Sequence, residues 1–453
     1  MMRINYLLKT SENNKAVLKN IIGAFIVRGG SLIVSLFTMP VYIHFFANQE
    51  SLGIWYTILS VLNWVFTFDL GLGNGLRNKL PLCIANHDEA GGKAYIAATY
   101  AGTFGVVFVW GIIGAILIPN VNWHTVLNIN SNTVSSKGLS MAITIVFIGI
   151  MLQFFLKIIT SILYAIQKSA LVNLLSLVIS VFTLVLVSVT PGGNGDENLI
   201  RMSVINVIAA IVPYLVATLL VFRYKLRSLI PSIRDVTIRC VKEVLNIGVA
   251  ILWLQLVFMV ISSTNELLIT KLTSAAHVVE FQAYYKIFNT VSSVFALALT
   301  PIWSAVTKAA GEKRYTWIKK LNHLLLLASA GVLLLELLIT PFMQPIIDIW
   351  LGKNYIEVVP AYAVLLAVSS SIFFLHSVNT SIGNGMSYFK VQFIWMTIAA
   401  IIDIPIAIIL VKILNSWTGV ILANIIALMP FEIAEIIYFK RYINRLISHD
   451  KSV

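Results

Sequence analysis

Of the 453 residues, 58% are apolar and only 11% are charged, and the mean hydropathy is +0.89. Soluble domains carry roughly 25% charged residues to dress their surface, so this composition excludes a soluble enzyme, a disordered chain and a collagen. The net charge of +13 would suit a nucleic-acid binder in a soluble protein, but not in one with so little polar surface, and its meaning depends on where the cations lie.

The chain opens on a polar, basic segment, residues 1–20, followed by an apolar run at 21–46 that is too long for a signal-peptide core and is expected to be the first span. Crossing a hydrocarbon core of about 30 Å takes about 20 apolar residues. Further runs of that kind fall at 52–70, 94–118, 139–164, 169–190, 199–222, 245–270, 279–305, 321–347, 360–382, 391–411 and 417–439. They are continuous, without the alternation of a barrel strand. The expected fold is therefore an all-α integral membrane protein of twelve transmembrane helices.

The cations orient it. With the N-terminus placed in the cytoplasm, 24 of the 32 Lys and Arg residues fall in cytoplasmic segments and five in the opposite loops (Lys137, Arg201, Lys271, Lys353 and Lys412). This asymmetry predicts both termini inside and accounts for most of the basic excess, with anionic lipid headgroups as a secondary contact. Cys83 and Cys240 then face the reducing side and read as small apolar residues.

A basic linker at 223–244 divides the chain into an N-terminal six-helix half, 1–222, and a C-terminal half, 245–453. Each half opens on a similar short segment, Leu18-Lys19-Asn20-Ile21-Ile22-Gly23 and Val244-Leu245-Asn246-Ile247-Gly248. With an even number of spans per half, both run the same way through the bilayer, as parallel repeats arranged around a central cavity.

Three cations remain inside spans: Arg28, Lys157 and Lys286. Charge at mid-membrane is costly and usually faces a bundle interior or a wet cavity. Each of the three shares a helical face with polar residues at steps of three and four. Arg28 aligns with Ser31, Ser35, Thr38 and Tyr42; Lys157 with Gln153, Thr160 and Tyr164; and Lys286 with Gln282, Asn289 and Ser293. Three cation-bearing stripes drawn from both halves predict a cavity of positive potential suited to an anionic substrate. The bland alternative is helix packing through small polar residues, with long side chains snorkelling to headgroups.

Of the acids in the spans, Asp403 is the most central, beside Pro405, and Asp403 and Glu266 are the candidates for proton coupling. Glu432 and Glu435 lie close to the basic C-terminal segment and are expected to pair with it. Nucleotide, metallohydrolase and nucleophile-elbow motifs are absent, so no cofactor, metal site or enzyme activity is expected. Gly71-Leu72-Gly73-Asn74-Gly75 follows a membrane helix rather than a strand and does not read as a dinucleotide loop.

The segment Asp69-Leu70-Gly71-Leu72-Gly73-Asn74-Gly75-Leu76-Arg77-Asn78, together with Asn20-Ile21-Ile22-Gly23, Arg28, Pro40-Val41-Tyr42 and Gly53-Ile54-Trp55, resembles the start of the Wzx-type O-antigen flippases. Their superfamily also holds the MurJ lipid II flippases and the MATE drug exporters. The resemblance implies movement of undecaprenyl-diphosphate-linked O-antigen repeat units from the cytoplasmic to the periplasmic leaflet of the bacterial inner membrane, by alternating access. It implies membrane lipids, the O-antigen polymerase and the chain-length regulator as partners.

Arg28 is similar in placement to the first-helix arginine of the MurJ relatives, and Lys286 to a cation on their eighth helix. The acid that follows that arginine in those relatives is absent, since Gly29-Gly30 stands there. Asp69, Gly71, Gly73, Gly75, Arg77 and Asn78 are expected to form either a hinge or backbone nest at the cytoplasmic mouth, or a tight turn with Arg77 on lipid phosphates. The competing functions are a MATE-like multidrug or cation antiporter, a lipid II-type flippase, a repeat-unit polymerase or ligase, and a structural subunit of an export complex.

Overall fold

A computed structural model of the chain describes residues 27, 29–67, 71–129, 133–166, 168–386 and 388–452, and these are helical throughout apart from short connections. In chain order the helices are α1 (Gly29–Phe46), α2 (Gln49–Thr67), α3 (Leu72–Ala85), α4 (Glu89–Asn120), α5 (Trp123–Leu127), α6 (Ser136–Ala165), α7 (Ser169–Val189) and α8 (Gly195–Tyr224). Then follow α9 (Ile238–Ser262), α10 (Asn265–Leu272), α11 (Ala275–Ala296), α12 (Leu299–Gly311), α13 (Tyr315–Ile339), α14 (Met343–Leu351), α15 (Pro360–Gly385), α16 (Lys390–Leu414) and α17 (Thr418–Ser452).

Ten spans in the described residues are long and apolar enough to cross a membrane. Large apolar side chains stand exposed along them, among them Phe104 and Phe108 on α4, Leu219 and Leu220 on α8, and Leu334 and Leu338 on α13. Apolar bands of this extent along spans of membrane-crossing length belong against lipid, and the protein is a multi-pass membrane protein. In the two further expected spans, 52–70 and 279–305, the described residues form α2, and α11 with α12. They are less apolar for a physical reason. Residues Ser51–Ile58 of α2 are all buried, and α2 packs on α11, so the facing sides of these two helices meet protein rather than lipid and can carry polar side chains.

The structure also breaks or adds helices where runs of hydropathy showed continuity. The span expected at 245–270 is split at Ser263-Thr264 and the one at 279–305 at Leu297-Ala298. Pro301 stands at the third position of α12, where its missing N–H leaves the Leu297 carbonyl without the usual helical donor. The connection after residue 70 contains α3, entered through Gly71 in the left-handed region at φ 66°, a conformation that favours glycine.

The helices gather into two compact units. Of the described residues, the first holds those within 1–45, 68–121 and 137–251, and the second those within 46–67, 122–136 and 252–453. Packing therefore departs from the order of the chain at α2 and α5, which cluster with the later helices.

In the first unit an apolar core forms around Leu76 and Leu80 of α3, Ile96 of α4, Ile158, Ile159 and Ile162 of α6, and Val221 of α8. Beside it Lys79 Nζ lies 2.8 Å from Glu243 Oε2, Tyr95 Oη donates to the same oxygen at 2.6 Å, and Arg239 Nε lies 3.0 Å from Oε1. These three donors hold the Glu243 carboxyl at about 2, well below the usual 4.5. A depressed folded value contributes stability that is complete above the unfolded value and is lost as pH falls through the folded one. Wild-type protein is thus expected to lose more thermal stability than Glu243→Gln on acidification from about pH 4.5 toward 2, measured as unfolding midpoints in detergent. Parallel pH profiles would show that the cluster carries no such linkage.

In the second unit one core joins α12, α13, α15 and α17 through Val306, Val332, Val378 and Phe439, and another joins α9, α15, α16 and α17 through Ile261, Ile372, Met396 and Phe431.

Candidate functional site

In the first unit, Lys157 is exposed on α6 while its neighbours Ile158 and Ile159 are buried, as an amphipathic face requires. Gln153 and Thr160 flank Lys157 on that face, partly buried, and Thr160 Oγ1 donates to the Lys157 carbonyl at 2.8 Å. At the end of this stripe the Arg77 guanidinium lies 4.4 Å from the centroid of the Tyr164 ring, within cation–π range. The glycines of the same segment face neighbouring helices. A Cβ on Gly73 would stand 2.5 Å from Ser161 Oγ on α6, and one on Gly75 would stand 2.4 Å from the Val244 carbonyl oxygen on α9. Spacing along the chain linked neither Arg77 nor the glycines to Lys157; α3 brings both alongside α6.

On α1, Ser31 and Tyr42 are buried and Ser35 is exposed. Arg28 and Asp69 lie outside the described residues, as do the side chains of Asn74 and Asn78.

The second unit builds the fuller constellation. Gly53, Thr57, Ser60 and Trp64 recur along α2 at steps of four, three and four, forming one face. A Cβ on Gly53 would fall 1.7 Å from the Ala275 carbonyl oxygen, so glycine is what lets α2 approach α11. Thr57 Oγ1 and Thr270 Oγ1 are 2.6 Å apart. Ser60 Oγ and Trp64 Nε1 both donate to the Ser263 carbonyl, at 2.6 and 2.7 Å. That carbonyl sits just past the end of α9, where a helix leaves acceptors without partners, and α2 supplies the donors. This row had a readable signal, the three-and-four spacing of small polar residues, but no charge to draw attention to it.

Glu266 lies in the first turn of α10, the segment that follows the break, half-buried. Gln282 Nε2 donates to its Oε1 at 2.7 Å, and Ser60 Oγ lies 3.0 Å from its Oε2. The predicted stripe of α11 is therefore anchored at Gln282. Its next member, Lys286, is half-buried with Nζ 5.9 Å from the centroid of the Tyr56 ring. Asn289 and Ser293 continue the stripe into a cavity of about 330 Å³ walled by α9, α11 and α15.

Glu336 of α13 is fully buried behind that cavity, accepting from Ser292 at 2.7 Å, Ser370 at 3.0 Å and Ser371 at 2.6 Å. Asp403, also fully buried, accepts from Asn424 Nδ2 at 2.9 Å. The expectation for Glu432 and Glu435 is corrected. Glu432 accepts from Asn379 Nδ2 at 2.6 Å and lies 3.2 Å from His376 Nδ1, and Glu435 is buried facing Gly383 beside Gln392. Both project into the bundle, because the face of α17 that carries them packs on α15 and α16 instead of reaching the basic end of the helix. Among the described residues no group of three or more His, Cys, Asp or Glu is arranged to hold a metal ion.

The described residues thus form a many-helix membrane fold with buried carboxylates, polar helix faces and broken spans. No known family profile and no curated protein matches the sequence, but solved structures do. An inward-facing conformation of a multidrug resistance MATE family transporter of the MOP superfamily is similar at 14% identity and a TM-score of 0.76, covering 94% of this chain and 99% of that one. A MATE in complex with MaL6 is similar at 14% identity and a TM-score of 0.65, covering 95% and 97%. An outward-facing conformation of a multidrug resistance MATE family transporter gives 14%, 0.64, 94% and 96%. The chain has the MATE transporter fold along nearly its whole length.

Proposed function

We propose that the protein is a lipid-linked oligosaccharide flippase. It would carry undecaprenyl-diphosphate-linked O-antigen repeat units from the cytoplasmic to the periplasmic leaflet of the inner membrane, without enzymatic chemistry. The observation that carries this reading is the pairing of cations with hydrogen-bonding faces inside predicted spans: Lys157 on α6 in one unit and Lys286 on α11 in the other, with Arg28 on the first span. A diphosphate leaving the headgroup region needs counter-charge, the sugars need hydrogen-bonding groups, and the polyprenyl tail can stay in lipid. The resemblance of residues 69–78 to the Wzx-type flippases supports the same substrate class. Glu266 and Asp403 are the residues through which an ion gradient would drive the cycle, with O-antigen polymerase and chain-length regulator as partners.

The fold also favours a second reading, a MATE-like exporter of cations, since the similar solved structures are multidrug transporters and the second unit buries several acids. One experiment separates the two. A null mutant is expected to accumulate lipid-linked single repeat units on the cytoplasmic leaflet and to keep its drug susceptibility. Normal surface polysaccharide with raised drug sensitivity would overturn the flippase reading in favour of the exporter.

A further inference from the structure

The cavity of the second unit has a wall chemistry of its own. Among the described residues that line it, none is charged; serines, asparagines and aromatic rings dominate its surface, and Ala296, Leu366 and Ile421 complete it. A serine hydroxyl has one proton to donate and two lone pairs to accept with, and here most of those protons are turned into the protein. Ser292 and Ser370 donate to Glu336, while Ser262 and Ser377 donate to the carbonyls of Phe258 and Phe373 at 2.9 and 3.0 Å. What these serines leave for the cavity is acceptor capacity. Asn265, 5% exposed and also on the wall, has its Oδ1 buried without a hydrogen-bond partner, and a buried orphan acceptor of that kind is costly unless something fills it. Because Glu336 takes the protons of Ser292 and Ser370, those two hydroxyls turn their lone pairs toward the cavity.

Aromatic rings make up most of the apolar surface. Phe258 and Phe373 meet edge to face with centroids 6.0 Å apart, and Phe281 and Tyr285 stack at 5.4 Å. The volume of about 330 Å³ falls within the range of roughly 300–1,000 Å³ typical of small-molecule sites and is far more than a bare monovalent ion needs. A neutral ligand rich in hydroxyl donors, with an apolar C–H face to lay on a ring, matches both halves of this surface. That is the chemistry of a pyranose.

We infer that this cavity is a sugar subsite, in which one sugar unit of the transported molecule donates hydroxyls to the serine and Asn265 acceptors and stacks on the phenylalanine cluster. The inference rests on the flippase reading for the identity of the larger molecule, and it places recognition of the glycan apart from the cation at Lys286.

The test uses the purified full-length protein in detergent and ligand-observed saturation-transfer NMR with a panel of methyl hexosides and methyl N-acetylhexosaminides at millimolar concentration. At least one glycoside is expected to receive saturation. Binding should weaken by about tenfold or more in Ser293→Phe, which fills the cavity, and in Phe373→Leu, which removes a ring with little change of volume. A silent panel on wild-type protein overturns the inference whatever the variants do, as does a signal that both variants leave unchanged. A silent panel with thermal stabilisation by sodium chloride but not choline chloride overturns it in favour of a cation site. The null-mutant experiment is independent: accumulation of lipid-linked units with a silent panel leaves the flippase standing without this subsite, and glycoside binding without accumulation sinks the flippase alone.

Discussion

If the protein is the proposed flippase, Lys286→Met is expected to cut polysaccharide export by about tenfold or more while the protein accumulates at native levels. Methionine keeps the unbranched stem that packs along α11, so what is lost is the charge and its donors. A hydrogen bond to a charged partner contributes about 1.5–3 kcal/mol, or roughly one to two orders of magnitude in binding. A diphosphate that has left the headgroups has few substitutes for it. Lys286→Arg should retain more export than Lys286→Met, because position and charge persist while the donor geometry changes. Lys157→Met should reproduce the loss from the first unit, where its side chain is exposed on the polar face of α6. The measurement is surface O-antigen with the membrane level of each variant controlled. Normal export in both methionine variants would remove the cations from the mechanism.

The second large effect lies at a glycine with no chemistry of its own. Gly53→Ala is expected to lower the thermal unfolding midpoint by several degrees or to prevent accumulation, whereas Gly105→Ala should be neutral or slightly stabilising. Alanine is favoured over glycine in a helix by about 0.8–1 kcal/mol, so propensity alone predicts gain at both sites. At Gly105 nothing lies within 4 Å of the added methyl group; at Gly53 it would stand 1.7 Å from the Ala275 carbonyl oxygen. Backbone cannot swing aside as a side chain can, and overpacking typically costs about 1–3 kcal/mol. Pushing α2 away from α11 would also stretch the Thr57–Thr270 contact and the donors from Ser60 and Trp64 to Ser263. Equal midpoints for Gly53→Ala and wild type would show that α2 has freedom the packing does not suggest.

These two residues mark how much of the site was readable in advance. Lys286 stood out because a cation in an apolar run is conspicuous against a solvent that penalises it, and its stripe of Gln282, Asn289 and Ser293 followed from helical spacing. Gly53 was noticed only within a short resemblance. Its role depends on a carbonyl more than 200 residues away in the chain, and no local pattern carries that information. The same holds for Glu336, whose three serine donors come to it from α11 and α15. It holds too for Glu432, whose closeness in sequence to a basic segment suggested a partner that the direction of its helical face denied.

By itself the sequence determined that the chain spans a membrane many times as helices and where each run lies, and it isolated three cations in spans. All of these follow from a local quantity, the cost of placing each residue in hydrocarbon. Only the tertiary structure decided that α2 joins the later helices, that two expected spans break beside the polar cavity, and which side chains meet across it. Those outcomes depend on contacts between distant segments, where small residues set how closely backbones approach and orphaned carbonyls find donors on another helix.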